Sequence, residues 1–198
     1  MRSVTSLLLA CLFTLAASAQ SKKDIRLYKI KGVTETTVVY EAGKEVANYR
    51  SEVKKFDKDG NTIENVTYNR DGSVRRKEAA KYVGKDKVEE LVQDVNVQKK
   101  VDEDNDDGAK YKHTTSKYNS NGDKTEEVWY NEKGAVIKKE LYTYNARGDR
   151  LTETTYDAAG KVTRKIVYTY DAKGLKTDKK VYGPGDVLQK HVKYTYSY

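Results

Sequence analysis

Few side chains in this sequence are of the kinds that do covalent or metal chemistry. The only imidazoles are His113 and His191, and the only thiol is Cys11. A hydrolytic site needs a nucleophile with a base in reach, or paired carboxylates facing a cleft. Here serines are sparse, and neither histidine stands in a recognisable partner pattern. The carboxylates fall on turns or alternate with lysine along extended segments. No Gly-rich loop leads into a helix as a phosphate cradle would. A non-enzymatic protein is therefore expected, with no catalytic residues, no cofactor and no metal centre. The nearest approach to a metal site is Asp102–Gly108, where Asp102, Asp104 and Asp106 alternate as in a calcium loop. Gly108 stands one place too late and the closing acid is missing, so an acidic hairpin loop is expected, with weak calcium binding as the alternative.

The side chains with binding potential are aromatic. Among 17 tyrosines, Tyr142 with Tyr144, Tyr168 with Tyr170, and Tyr194 with Tyr196 form Tyr-Thr-Tyr strings at equal spacing. Trp129 is the sole tryptophan. Such rings stabilise strands by packing on one another, or they form a stacking platform for sugars and other flat ligands.

The elements that hold these residues follow from the same period. Gly108, Gly122, Gly134, Gly148, Gly160 and Gly174 are separated by a longer and a shorter interval in turn, a 12/14 alternation, and Gly60 and Gly72 by the shorter one. Each unit closes on Tyr-Asn/Asp-x-x-Gly, as in Tyr144–Gly148, Tyr156–Gly160 and Tyr170–Gly174. Asn or Asp in the first turn position bonds to its own turn backbone, and the glycine accepts the left-handed conformation, which describes a type I turn closed by a bulge. Between the turns lie segments dense in Thr, Val, Ile, Tyr and Lys, too short for helices and suited to a pleated surface. Consecutive strands joined by tight turns pair antiparallel. The expected fold is all-β: an antiparallel β-meander of tandem hairpin repeats with roughly twelve to fourteen strands, forming an elongated twisted or curled sheet, with no helix. Tyr118, Tyr144, Tyr170 and Tyr196 should line one edge of this sheet, and Tyr130, Tyr156 and Tyr182 the other, with neighbours about 9 to 10 Å apart.

Residues 1–19 read as a signal peptide: Arg2, an apolar run Leu7–Leu15, and the small-x-small site Ala17-Ser18-Ala19. The protein is accordingly expected to be exported, to the periplasm, cell surface or medium. A lipobox-like Leu8-Leu9-Ala10-Cys11 makes a lipoprotein anchored through Cys11 the minor alternative. Cleavage after Ala19 leaves a chain without cysteine, so neither disulfides nor a thiolate zinc site are available. Residues 20–55 read as an N-terminal hairpin and capping region with turns at Gly32 and Gly43, residues 56–198 as the repeat domain, and residues 85–112 as an irregular segment within it.

The motif Tyr168-Thr169-Tyr170-Asp171-Ala172-Lys173-Gly174 resembles the YD repeat of the Rhs family, and weaker copies run from about Phe56 to the C-terminus. The resemblance implies β-hairpin spirals and a bacterial envelope or secreted setting. It implies no activity, because the 12/14 alternation differs from the usual spacing and the chain is too short to enclose a cargo.

The net charge is +8, with basic residues spread among acids along nearly every strand. That favours solubility and attraction to polyanions over a dedicated nucleic-acid patch. Val192, Tyr194, Tyr196 and Tyr198 alternate as in an outer-membrane barrel strand, but Arg164 and Lys165 put charge on both faces of another strand, which excludes a lipid face. Two functions remain. One is an envelope or secreted scaffold with a protein partner or edge-strand self-association. The other is binding of a glycan or other polyanionic envelope polymer through the tyrosine rows and Lys/Arg. In either case no transmembrane segment is expected in the mature chain.

Overall fold

The computed structural model describes residues 21–83, 86–94 and 113–198. The expected signal peptide with Cys11 and the acidic run Asp102–Gly108 lie outside these residues.

The turn motif folds by local hydrogen bonding. At Tyr144–Gly148 the Asn145 amide donates to the Asp149 carbonyl at 2.9 Å, and the Gly148 amide to the Asn145 carbonyl at 3.0 Å. The Asn145 side-chain oxygen accepts from the amides of Arg147 and Asp149, each at 2.9 Å. Gly148 closes the turn at φ 84°, a conformation costing an L-residue about 1 kcal/mol. The backbone bonds repeat at Asp57, Asn69, Asn119, Asn131, Asp157 and Asp171, so each motif copy folds alike.

Twelve strands result among the described residues: β1 (Gly32–Glu41), β2 (Lys44–Phe56), β3 (Thr62–Tyr68), β4 (Val74–Val83), β5 (Asp86–Asp94), β6 (His113–Tyr118), β7 (Lys124–Tyr130), β8 (Val136–Tyr144), β9 (Arg150–Asp157), β10 (Val162–Tyr170), β11 (Lys176–Tyr182) and β12 (Leu188–Ser197). All lie in one antiparallel sheet of order β5-β4-β3-β2-β1-β12-β11-β10-β9-β8-β7-β6. The extensive contacts between elements run between hydrogen-bonded neighbours, with a small one from the 3-10 turn Pro184–Asp186 to β10.

The all-β antiparallel expectation holds, while its order needs correction. The chain makes two meanders, β1–β5 and β6–β12, joined where β1 pairs with β12 from Gly32↔Ser197 to Val39↔Lys190. The first and last of the described strands thus meet in the middle, and among the described residues β5 and β6 are the edges. A continuous spiral of hairpins, as the Rhs resemblance implies, lacks such a seam. The turn at Ala42–Gly43 forms, with both residues at positive φ. The turn at Gly32 does not: Gly32 opens β1, and a Cβ there would lie 2.8 Å from the Lys54 carbonyl oxygen. A helix, α1 (Lys22–Leu27), precedes it, against the expectation of none; Ser21 caps it by accepting from the Asp24 amide.

α1 closes one end of the sheet. Ile25, Ile30 and fully buried Leu175 form a core cluster with Tyr28, Phe56 and Tyr196 around it. A second cluster, Ile166, Tyr168 and Val181, lies on β10 and β11. Burying a side chain such as Leu175 contributes about 2 kcal/mol.

Candidate functional site

Residues directly opposite across antiparallel strands share a face. The pairs Tyr142↔Glu153, Glu153↔Ile166, Tyr168↔Lys179, Lys179↔Val192, Tyr194↔Glu35 and Glu35↔Glu52 therefore place side chains of β8–β12, β1 and β2 on one surface, the tyrosine face. Its tyrosines are anchored in a repeating way. The hydroxyls of Tyr144, Tyr170 and Tyr196 donate to the carbonyls of Lys124, Arg150 and Lys176, each at 2.7 Å. Donor and acceptor positions advance together, one sequence period at a time.

The residues carrying those carbonyls are cationic, and the side chains of two of them lie over the rings of the same face. The Arg150 guanidinium sits 4.5 Å from the Tyr142 ring centre and 5.8 Å from that of Tyr144. The Lys176 ammonium sits 4.7 Å from Tyr168 and 5.8 Å from Tyr194. Such contacts contribute roughly 0.5–2 kcal/mol, more as water is excluded. Tyr142 and Tyr168 are buried, and Tyr144, Tyr170, Tyr194 and Tyr196 are half-buried. Burial pushes the Tyr168 and Tyr170 hydroxyls up to about 12, so both remain neutral donors well above neutral pH. Tyr142 also donates to Glu140. Trp129 is half-buried, with the Lys138 ammonium 4.4 Å from its ring centre. The structure thus brings all seven aromatic positions singled out in the sequence onto one surface.

Sequence reasoning named Lys and Arg beside the tyrosine rows only as a class, although the period of these charged side chains is just as legible. Lys124, Arg150 and Lys176 are equally spaced, as are Lys138, Arg164 and Lys190, at the interval that separates the Tyr-Thr-Tyr strings. In the first repeat Lys124 pairs with Glu127 at 2.9 Å and Lys138 with Glu140 at 3.1 Å. In the second, Arg150 pairs with Glu153 at 3.0 Å. In the third, the position of Glu127 and Glu153 is Lys179, and that of Glu140 is Val192. The carboxylates nearest this third repeat across the seam are on β1 and β2. Glu35 faces Glu52, which pairs with Lys54 at 2.8 Å. Burial first, then the charge of Glu52, pushes Glu35 up to about 7. Burial and the charge of Lys179 pull Lys176 down to about 8.

The two histidines lie apart. His191 contacts Asp178 at 2.7 Å on the opposite face, and His113 stacks on Tyr130 at the β6 edge. Among the described residues no cluster of His, Cys, Asp or Glu could hold a metal ion, and no helix is long and apolar enough to cross a membrane.

No family model and no curated protein matches the chain. Solved structures with a similar course include a DUF1329 family protein from Desulfovibrio piger, at 14% identity over 87% of each chain and a TM-score of 0.39. A domain from Vibrio parahaemolyticus named for outer membrane lipoprotein sorting is 10% identical over 89% of this chain and 91% of its own, with a TM-score of 0.43. A LolA superfamily protein from Nitrosomonas europaea is 12% identical over 90% of each chain, with a TM-score of 0.37. The YD-repeat and Rhs resemblance is corrected accordingly. Its motif specifies a turn, which any antiparallel sheet can use, and the pairing of β1 with β12 between two meanders is not the order of a continuous hairpin spiral. At these scores the three matches carry no ligand or activity over to this chain.

Proposed function

We propose that this is an exported, non-enzymatic interaction module of the cell envelope or its surroundings, which uses the tyrosine face to engage an acidic polymer. The observation that carries the reading is the three-fold ladder of tyrosines and cations. Hydroxyls bonded to backbone at Tyr144, Tyr170 and Tyr196 fix the rings, and Arg150 and Lys176 are held over rings of the same face. A row of fixed rings and cations repeating on every second strand suits a ligand that itself repeats, such as a charged glycan. Catalysis plays no part in this reading. In a second mode, edge strand β5 pairs with β6 of another copy and extends the sheet.

The test is binding of dextran sulfate and of uncharged dextran at low and high salt. Saturable binding of dextran sulfate that weakens with salt without vanishing, with dextran not bound, supports the reading. Failure to bind dextran sulfate at low salt, or complete loss at high salt, overturns it, because diffuse charge alone would then account for any attraction.

A further inference from the structure

The tyrosine face is charge-balanced at one end and cationic at the other. The equivalent positions hold Lys124, Glu127, Lys138 and Glu140 in the first repeat; Arg150, Glu153, Arg164 and Ile166 in the second; and Lys176, Lys179, Lys190 and Val192 in the third. Two acids become one and then none, while the fold of each repeat is unchanged.

The pairing places three of these cations around one point. Val181 lies opposite Ile166 on one side and Lys190 on the other, while Lys179 lies opposite Val192. Arg164 stands two places before Ile166 on β10 and shares its face. Arg164, Lys179 and Lys190 therefore stand on three adjacent strands above Ile166, Val181 and Val192, which are buried to 3%, 6% and 4% exposure. The floor is buried and apolar, and the rim is cationic. Along β10, β11 and β12 the tyrosine face carries no carboxylate: Asp178 projects to the other face with His191. The flanking acids are Glu153, paired with Arg150, and Glu35, set against Glu52. Arg164 and Lys190 are exposed and Lys179 is half-buried, so the point is open to a ligand. Burial, followed by the charges of Lys190 and Arg164, holds Lys179 below the usual lysine range. Like charges gathered over an apolar floor repel until a counter-charge joins them.

We propose that Arg164, Lys179 and Lys190 form a discrete site for a tetrahedral oxyanion, a phosphate or sulfate group. Three donors from three strands match the several acceptor oxygens of such a group, and the guanidinium adds a bidentate fork. The site rests on the reading of this face as a polyanion surface and deepens it, by naming the group recognised and where.

The decisive experiment is calorimetric titration of the protein with inorganic phosphate and with inorganic sulfate at low salt. Lys179→Glu is the test variant, because glutamate is native to that position in the other two repeats and so suits the fold. Lys190→Gln, at an exposed position, is the second variant should the first fold poorly. Lys133→Glu, in the exposed turn between β7 and β8, is the control with the same change in net charge. The expected result is a single anion bound, weakened about tenfold or more by Lys179→Glu, clearly weakened by Lys190→Gln and little changed by Lys133→Glu. No binding of either anion, or equal loss in test and control variants, overturns the site. Vesicles of phosphatidylglycerol set against phosphatidylcholine separate the sources. Lys179-dependent capture of the former assigns the group to a lipid headgroup, and binding of the ion alone assigns it to a free or polymer-borne anion. Dextran sulfate run in parallel separates this site from the wider reading. Polymer binding that ignores Lys179→Glu sinks the site alone, and Lys179-dependent phosphate binding without polymer binding sinks the wider reading alone.

Discussion

Glu35 stands between Glu52, opposite it on β2, and the neutral Tyr194, opposite it on β12. Burial and the second carboxylate both disfavour its ionisation, which is why it titrates near 7 and not in the ordinary carboxylate range. A carboxyl whose folded pKa is raised stabilises the fold while protonated, fully so below its unfolded pKa of about 4.3, and this contribution is lost as pH rises through about 7. Replacing it with glutamine removes the ionisation and keeps the shape. Glu35→Gln is therefore expected to raise the melting temperature more at pH 8 than at pH 5, with a differential on the order of 1–3 kcal/mol. Melting followed by circular dichroism at both values checks this. An equal effect at the two pH values would show that Glu35 is already ionised at pH 5. The tyrosines need no such device, since burial keeps Tyr168 and Tyr170 protonated to about 12.

At the scale of elements, the hairpins carry their own instructions and the edges carry a liability. Asn145 shows the first point: one side-chain oxygen holds two backbone amides, so the turn is specified within its own motif. β5 shows the second. Among the described residues it is bonded on one side only, and Val88, Leu91 and Val92 are 53%, 58% and 43% exposed. With twelve strands alternating in direction, β5 runs antiparallel to β6, so the β6 edge of a second copy meets it in the geometry the sheet already uses. The β5 sequence holds Asp86, Glu89, Glu90 and Asp94 against one lysine, and that of β6 holds Lys117 and no acid, so the edges also differ in charge. Concentration-dependent self-association is expected in sedimentation velocity, and Leu91→Lys should shift the distribution to monomer without lowering the melting temperature. A wild-type protein that stays monomeric at all concentrations would rule this pairing out.

For the whole molecule, the β1–β12 seam decides the arrangement, and Gly32 is a tight point within it. A Cβ at Gly32 would meet the Lys54 carbonyl of β2 at 2.8 Å and the Ser197 hydroxyl of β12 at 3.1 Å. The backbone oxygen cannot swing away as a side chain would, so β1 must shift from β2. Gly32→Ala is expected to destabilise the protein by about 1–3 kcal/mol, read as a lower urea midpoint. If the midpoint is unchanged, the seam is looser than its geometry indicates. Glu35 lies on the same strand, so a displaced β1 would also move the carboxyl that faces Tyr194.

The order of residues dictates the local structure of this protein. Tyr-Asn/Asp-x-x-Gly sets its turn because every hydrogen bond closes within the motif or one residue beyond it, and the repeat period puts Tyr142, Tyr168 and Tyr194 in equivalent places. The all-β fold and the face shared by the tyrosines follow from these two facts. The short helix at Lys22–Leu27 was not legible, since it holds its shape by a Ser21 cap and by Ile25 packing beside Leu175, far away in the chain. The seam was not legible either. Backbone hydrogen bonds pair any two strands alike, so nothing in Gly32–Glu41 names Leu188–Ser197 as its neighbour. That choice, made by tertiary packing, brings Glu35 to Tyr194 and leaves β5 and β6 at the edges. Arg164, Lys179 and Lys190 were visible as letters, but their convergence around Val181 depends on the registers of β10, β11 and β12, which pairing in the folded sheet sets.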